Sequence, residues 1–170
     1  MENAAVAFAT TLIKGAAAGL AGGAVMTAGV KAEQALTGRP SSFVPGRTLA
    51  HLLRLPDRDS DRLARNLAMH FGTAASAGVL RGAMSASNLR GPTASFLHTW
   101  VRLAIDQTLE NRTGVGAPPL TWPRDELVID VAHKAVYAFA TGAVADALIA
   151  PVPGNSATCP WQRLRLSGHA

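Results

Sequence analysis

The sequence predicts an all-α protein, an integral-membrane bundle of four long helices plus one short interfacial helix. Three observations carry this prediction. Of the 170 residues, 48% are apolar and only 16% are charged, whereas soluble domains carry about 25% charged residues. No segment shows the strict alternation of apolar and polar residues that is typical of a strand. Long segments rich in Ala and Gly recur between turns that contain Gly and Pro.

The composition excludes several other classes of protein. The chain has a single-domain length, and it is too apolar for a disordered tail. The single cysteine, Cys159, cannot form an intramolecular disulfide, and no Cys/His spacing typical of zinc occurs. The net charge of +5 does not indicate a nucleic-acid partner, because seven of the 16 Lys and Arg residues lie between Lys31 and Arg65. Such clustering favours a cytoplasmic loop of a membrane protein.

The first long helix is predicted over residues 4–30, which are small and apolar except for Lys14. About 20 helical residues cross a hydrocarbon core of about 30 Å, so this segment is long enough to span a bilayer. Gly15, Gly19 and Gly23 recur every four residues and share one face of the helix, which lets another backbone approach closely. We expect this face to pack against a second copy of the chain or another membrane protein.

The segments that follow alternate turns with helices. Residues 47–54 place three leucines on one side and an arginine at each end, a pattern that favours a helix on the membrane surface. Apolar segments bounded by Gly and Pro then predict spans over residues 63–86, 93–111 and 126–150. Residues 151–170 are predicted to form a Pro/Gly-rich tail.

The positive charges predict the orientation of these spans. The loop after the first span and the loop before the last span together hold nine Lys and Arg residues. The remaining loop and the C-terminal tail hold four. Because loops rich in Lys and Arg stay in the cytoplasm, the sequence predicts a multi-pass protein of the bacterial cytoplasmic (inner) membrane. Both chain ends are then outside the cytoplasm.

The second, third and fourth spans each carry a stripe of polar residues at helical spacing. Ionisable groups cost about 2.5–3.5 kcal/mol each at the bilayer centre, so they should face one another or a wet cavity. The last two spans run antiparallel, which should pair Arg102 with Asp130 and Lys134 with Asp106. We therefore predict a buried polar network made of His70, His98, Arg102, Asp106, Asp130, His133, Lys134 and Tyr137.

The alternative to a membrane protein is an Ala-rich soluble bundle, in which these charges form ordinary surface salt bridges. In a membrane bundle, the network has three interpretations. It could be structural and fix the register of the helices, or it could line a proton or ion path through Asp106, Asp130, His133 and Lys134. Histidines on three helices could also bind haem or a metal. However, helical rise places His98 and His133 at different depths, more than about 10 Å apart. No CxxCH or HExxH motif accompanies them, so the sequence predicts no metal site and no cofactor.

Several motifs resemble those of the YagU-like family of bacterial inner-membrane proteins. They are Met69-His-Phe-Gly72, Val115-Gly-Ala-Pro-Pro119, Trp122-Pro123, and the series Glu126, Asp130, His133 and Tyr137. The likeness extends from the second span onward. A second histidine that family members carry soon after the first is absent here, where Thr73 and Ala74 stand. The resemblance implies a four-span helical membrane protein and no reaction, because the family has no settled activity.

These observations together predict a non-enzymatic protein with no catalytic residue. Its role would be that of a small structural or accessory membrane subunit that packs through its glycine-rich first helix. The expected surroundings and partners are the lipid bilayer and either a second copy of the chain or another membrane protein. The alternatives are the proton or ion conduit and the haem or metal protein described above.

Overall fold

A computed structural model describes residues 2–56 and 58–151 of the chain. Within these residues the protein is all-α, as predicted, and it contains no strand. Its helices are α1 (Glu2–Thr37), α2 (Val44–Leu52), α3 (Arg62–Ala86), α4 (Gly91–Arg112) and α5 (Arg124–Leu148). Nearly all of the predicted tail, including Cys159, lies outside the described residues.

The long helices begin and end close to the predicted positions, with one clear difference in α1. The apolar pattern predicts an end at residue 30, but the helix continues to Thr37 and stops before Gly38, which has a φ of +72°. Residues 31–37 are mostly good helix formers, and the Thr37 hydroxyl donates to Glu33 Oε1 at 2.7 Å. The polar residues after position 30 therefore end the apolar segment, but they do not end the helix.

A short helix, α2, is present where the sequence predicts one on the membrane surface, and it begins earlier than predicted. It starts at Val44 with Pro45 in its first turn, where proline costs no hydrogen bond. It ends at Leu52, and Arg54 then adopts a positive φ of 53° that cannot continue a helix. One face of α2 packs on α3, while Leu53 just beyond its end is 60% exposed.

The long helices form an antiparallel bundle in which α1 packs chiefly against α3 and α5, and α4 packs against α5. Gly46 of α2 donates its backbone N–H to Asn66 Oδ1 of α3 at 3.0 Å. We call this end of the bundle, which carries α2 and the loop between α4 and α5, the α2 end. The opposite end, which carries the turn between α3 and α4, is called the turn end.

Gly15, Gly19 and Gly23 lie on the face of α1 that meets α3 of the same chain. A Cβ at Gly15 would lie 2.8 Å from the carbonyl oxygen of Gly78, and Cβ atoms essentially never approach within 3.0 Å of another heavy atom. The two backbones touch because both helices carry glycine at the crossing. The sequence predicts that this face contacts a partner, whereas in the structure it contacts α3. A partner helix would have to displace α3 to use it.

The interior of the bundle contains few large apolar side chains. Its buried apolar residues are mostly alanines, accompanied by Met26, Tyr137 and Ile149. Arg81, His98 and Arg102 are also buried, each 2% exposed or less. Large apolar side chains instead point outward on all four long helices, for example Ile13, Leu63, Phe96 and Phe139. Since such side chains are usually buried in soluble domains, this distribution is inverted.

Two described helices are long and apolar enough to cross a membrane. They are the segment Ala5–Thr37 of α1 and α5, with mean hydropathies of 1.4 and 1.3 in their most apolar windows. The sequence analysis predicts four spans, but α3 and α4 do not reach this level. The reason is their polar content, since α3 carries three arginines and α4 carries His98, Arg102 and Asp106. Average hydropathy does not register that several of these side chains point inward.

Candidate functional site

A cavity of about 510 Å³ opens at the α2 end of the bundle and is lined by all four long helices. α2 and the loop after α4 border it. Its charged lining consists of four cations and four acids, Lys31, Arg39, Arg102, Lys134, Asp106, Glu110, Glu126 and Asp130. The volume falls within the range of about 300–1,000 Å³ that is usual for ligand pockets. We therefore treat this cavity as the candidate functional site.

The spacing of the charged residues along α4 and α5 places their side chains at the cavity. On α4, Arg102, Asp106 and Glu110 are four residues apart, and on α5 the same spacing separates Asp130 from Lys134. Residues at this spacing share one face of a helix. Because α4 and α5 run antiparallel and pack together, the cations of each helix can reach the acids of the other. The polar stripes that the sequence predicts thus meet in the cavity.

Lys134 lies at the centre of the charged network. Its Nζ donates to Asp130 Oδ1 at 2.6 Å and lies 3.4 Å from Asp106 Oδ2. Asp106 Oδ2 also accepts from Arg102 Nε at 3.0 Å. The predicted contact of Lys134 with Asp106 is therefore present. The predicted pair of Arg102 with Asp130 is wrong, because Arg102 pairs with Asp106 on its own helix.

Three contacts hold Arg102 away from Asp130. Besides the bond to Asp106, Arg102 Nη2 donates to Thr73 Oγ1 of α3 at 2.9 Å. Its guanidinium carbon also lies 4.7 Å from the centroid of the Tyr137 ring, and a cation within about 6 Å of an aromatic face is attracted to it. Arg102 is only 2% exposed. These contacts replace part of the water that the guanidinium loses on burial, and Nη1 is left without an acceptor among the described residues.

Tyr137 and His98 lie behind the cavity, next to Arg102, and do not line it. The Tyr137 hydroxyl donates to the carbonyl oxygen of Ala74 at 2.6 Å. The two rings lie 5.6 Å apart, and His98 Nε2 lies 3.0 Å from the carbonyl oxygen of Ala77. Both side chains therefore connect α3 with α4 and α5. They belong to the packed centre of the bundle rather than to the cavity.

The other two histidines of the predicted network both line the cavity, from α3 and α5. His70 Nε2 lies 3.0 Å from Thr27 Oγ1 and 3.3 Å from the carbonyl oxygen of Gly23, so His70 is bonded to α1. His133 lines the cavity on α5. Within the described part of the chain, no group of three or more His, Cys, Asp or Glu side chains could hold a metal ion. The three histidines of the predicted polar stripes therefore do not form one site, because their contacts differ.

Arg39 joins two helices at the mouth of the cavity. It lies in the loop after α1, and its guanidinium contacts Glu33 of α1 at 3.1 Å and Glu126 of α5 at 2.8 Å. Partial burial opposes its charge, but the two carboxylates raise the pKa of Arg39 above its ordinary value. The sequence counts this arginine among the loop charges that predict orientation, but it predicts no contact for Arg39. A contact between a loop and a distant helix has no periodic signal by which it could be found.

A second charged cluster lies at the turn end and does not line the cavity. Asp146 Oδ2 accepts from Arg81 Nη2 and from the backbone N–H of Gly91, each at 2.9 Å. Its Oδ1 accepts from the Ser85 hydroxyl at 2.7 Å. The predicted polar network does not include this cluster, because Asp146 lies off the spacing of the polar stripe on α5. The sequence signal for this site is a single acidic residue, Asp146, within the apolar C-terminal half of α5.

Comparisons with models of protein families, with curated proteins and with solved structures find no match to this chain. The likeness to the YagU-like family therefore stays a prediction from the motifs quoted above. Inferences about function depend on the burial pattern of the bundle, on the charged cavity at the α2 end, and on the cluster around Asp146.

Proposed function

We propose that the chain is a multi-pass protein of the bacterial cytoplasmic membrane, in which α1, α3, α4 and α5 all cross the bilayer. The observation that carries this proposal is the inverted burial of the bundle, with Arg81, Arg102 and His98 inside and leucines and phenylalanines outside. In water, so much exposed apolar surface would favour association. In lipid, the same surface meets acyl chains, and charged groups are best placed in the interior.

α4 is the helix for which the proposal most needs support, because its average hydropathy alone does not indicate a span. Its inward face consists of polar side chains that are each 4% exposed or less, Ser95, His98, Thr99 and Arg102. Its outward face carries Phe96, Leu97 and Trp100, which are 45–56% exposed. A helix of this kind suits lipid on one side and a polar interior on the other. The polarity of α4 is therefore compatible with a membrane span.

Within the membrane, we propose a non-enzymatic role as a small structural or accessory subunit. The buried charges support this role, because most of them are bonded to one another. Lys134 joins two acids of the cavity network, and Arg81 is paired with Asp146 at the turn end. Buried ion pairs of this kind fix the register of the helices that carry them. The likeness to the YagU-like family is part of the same proposal.

Membrane extraction tests the location. Membranes from cells that express the chain would be washed with alkaline carbonate, which removes peripheral proteins, and then dissolved in detergent. We expect the chain to stay with the membranes through the carbonate wash and to dissolve only in detergent. Recovery in the carbonate wash or in the soluble fraction would contradict the proposal.

Cysteine labelling separates four spans from two. In a Cys159→Ser background, single cysteines would replace Leu53 and Leu120 at the α2 end and Ser87 at the turn end, all of which are exposed. A maleimide that cannot cross the membrane should label the first two positions from one side and position 87 only from the other. Labelling of all three from the same side would show that α3 and α4 do not cross. The Cys159→Ser parent is the unlabelled control.

The accessory role predicts a partner, which cross-linking in intact membranes would detect. We expect the chain to be recovered with a second copy or with another membrane protein. Because α3 covers the glycine face of α1, contacts should form through the outward side chains of the bundle. Recovery of the monomer alone would contradict the subunit role and would leave the membrane location intact.

A proton or ion conduit is the alternative function, and the two separate charged clusters favour it. One cluster surrounds Lys134 at the α2 end and the other surrounds Asp146 at the turn end. His98 lies between them along α4, and its Nδ1 has no hydrogen-bond partner among the described residues. A conduit predicts that liposomes with the purified protein pass protons faster than empty liposomes, and that Asp130→Asn abolishes the difference. A purely structural role predicts no such flux.

A further inference from the structure

We propose that the cavity at the α2 end binds a small zwitterion, a solute that carries one ammonium group and one carboxylate group as free amino acids do. This inference goes beyond the structural role proposed above and stands on separate observations. They are the charges of the cavity lining, the buried polar atoms of that lining, and its apolar surface.

Most charges that line the cavity are matched within the protein. Six of the eight form ion pairs, namely Arg39, Glu126, Arg102, Asp106, Asp130 and Lys134. The other two are Lys31 of α1 and Glu110 of α4, and neither lies within 4.0 Å of an opposite charge among the described residues. Lys31 bonds only to neutral partners, Gln34 and Ser41, each at 3.1 Å. One cation and one acid of the lining are thus left for a ligand.

Two buried polar atoms of other lining residues also lack a partner, one of them a donor and the other an acceptor. Arg102 is 2% exposed, and its Nη1 donates to no acceptor among the described residues. Asp130 Oδ2 likewise receives no donor there. Buried polar groups are normally paired, because leaving them unpaired is costly. One donor and one acceptor of two lining residues are therefore left without a partner among the described residues.

This donor and this acceptor belong to one series of contacts. Arg102 Nε lies 3.0 Å from Asp106, and Lys134 Nζ links Asp106 at 3.4 Å to Asp130 at 2.6 Å. Both atoms therefore belong to one connected cluster of side chains, and the proposed ligand would bind across this cluster. Its carboxylate would accept from Arg102, since guanidinium groups bind carboxylates well. Its ammonium group would donate to Asp130 or Glu110.

The alternatives match the lining less completely. A simple cation would leave Lys31 without an anionic partner and Arg102 Nη1 without an acceptor. A simple anion would leave Glu110 without a cationic partner and Asp130 Oδ2 without a donor. The cavity lining also includes Met26, Val30, Leu67 and Trp122, which can contact an apolar side chain of the ligand. An amino acid with an apolar side chain satisfies all three features of the cavity.

Calorimetric titration of the detergent-purified, full-length chain tests the proposal. Each common L-amino acid would be titrated in turn, and the tightest binder would be compared with its decarboxylated amine and its deaminated acid. We expect the amino acid to bind at least about tenfold more tightly than either derivative, because each derivative loses one charge-assisted hydrogen bond. Binding by none of the amino acids, or equal binding by the amine or the acid, would overturn the proposal.

Two variants of matched charge assign the binding to the cavity. Glu110→Gln removes the free acid of the lining and keeps its shape, while Asp125→Asn removes an exposed acid outside the cavity. We expect Glu110→Gln to weaken binding about tenfold and Asp125→Asn to leave it unchanged. Lys31→Gln, at the exposed mouth, is a second cavity variant and should also weaken binding. Wild-type affinity in both cavity variants would overturn the proposal.

Discussion

The contact between α1 and α3 makes Gly78→Ala an informative substitution. Its added Cβ would lie 2.5 Å from the Cα and 2.6 Å from the N of Gly19, whereas ordinary contacts of a Cβ begin at 3.4 Å. Both neighbouring atoms belong to the backbone, so no side chain can turn aside. The carbonyl oxygen of Gly15 lies closer still, so the two helices would have to separate by at least about 0.9 Å (3.4 minus 2.5) to admit the methyl group.

We expect this separation to lower the free energy of unfolding by about 1–3 kcal/mol, the usual cost of overpacking a tight interior. The better helix propensity of alanine returns up to about 1 kcal/mol of this loss. Gly72 on the same helix supplies the control, because nothing lies within 4 Å of a Cβ there. Gly72→Ala should therefore be neutral or should stabilise the protein by up to about 1 kcal/mol.

Thermal unfolding of the detergent-purified variants, followed by circular dichroism, measures both effects. For a domain of this size, each kcal/mol moves the melting temperature by about 2–4 °C. Gly78→Ala should melt several degrees below Gly72→Ala, and Gly72→Ala should melt at or above the wild type. A Gly78→Ala protein as stable as the Gly72→Ala protein would refute the direct backbone contact between α1 and α3.

Three further substitutions test the buried contacts by the same thermal measurement. Asp146→Asn should lower the free energy of unfolding by about 3–5 kcal/mol, because Arg81 would stay buried without its carboxylate; a wild-type melting temperature would count against this pair. Lys134→Met should cost a similar amount, about 3–5 kcal/mol, since two acids of the cavity lose their shared cation. Tyr137→Phe should cost about 0.5–1.5 kcal/mol through the lost hydrogen bond to the Ala74 carbonyl, and no loss would contradict that contact.

The positions of the helices are predictable from this sequence because several local signals coincide. Gly and Pro lie between the apolar segments, and the polar residues of the later helices repeat with helical spacing. The boundary at residue 30 fails because apolarity and helix propensity are different properties, and residues 31–37 are polar helix formers. The glycine face of α1 is a packing surface, but a pattern on one helix does not identify which helix covers it.

The membership of the charged network is easier to predict than its pairing. Spacing along α4 and α5 brings Arg102, Asp106, Asp130 and Lys134 together, but it leaves each cation with two acids in reach. Contacts with Thr73 and the Tyr137 ring decide the choice for Arg102, and these depend on how α3 packs. Periodicity along single helices contains no information about such contacts.

The fluorescence of Trp100 in bilayers tests most directly whether lipid surrounds this bundle. Trp100 is 47% exposed on α4, the helix whose polar residues point inward. It would be the sole tryptophan in a chain whose other two tryptophans, Trp122 and Trp161, are replaced by phenylalanine. A membrane-spanning α4 predicts strong quenching by lipids with brominated acyl chains and little quenching by acrylamide in the water. Strong quenching by acrylamide with none by the brominated lipids would contradict the account.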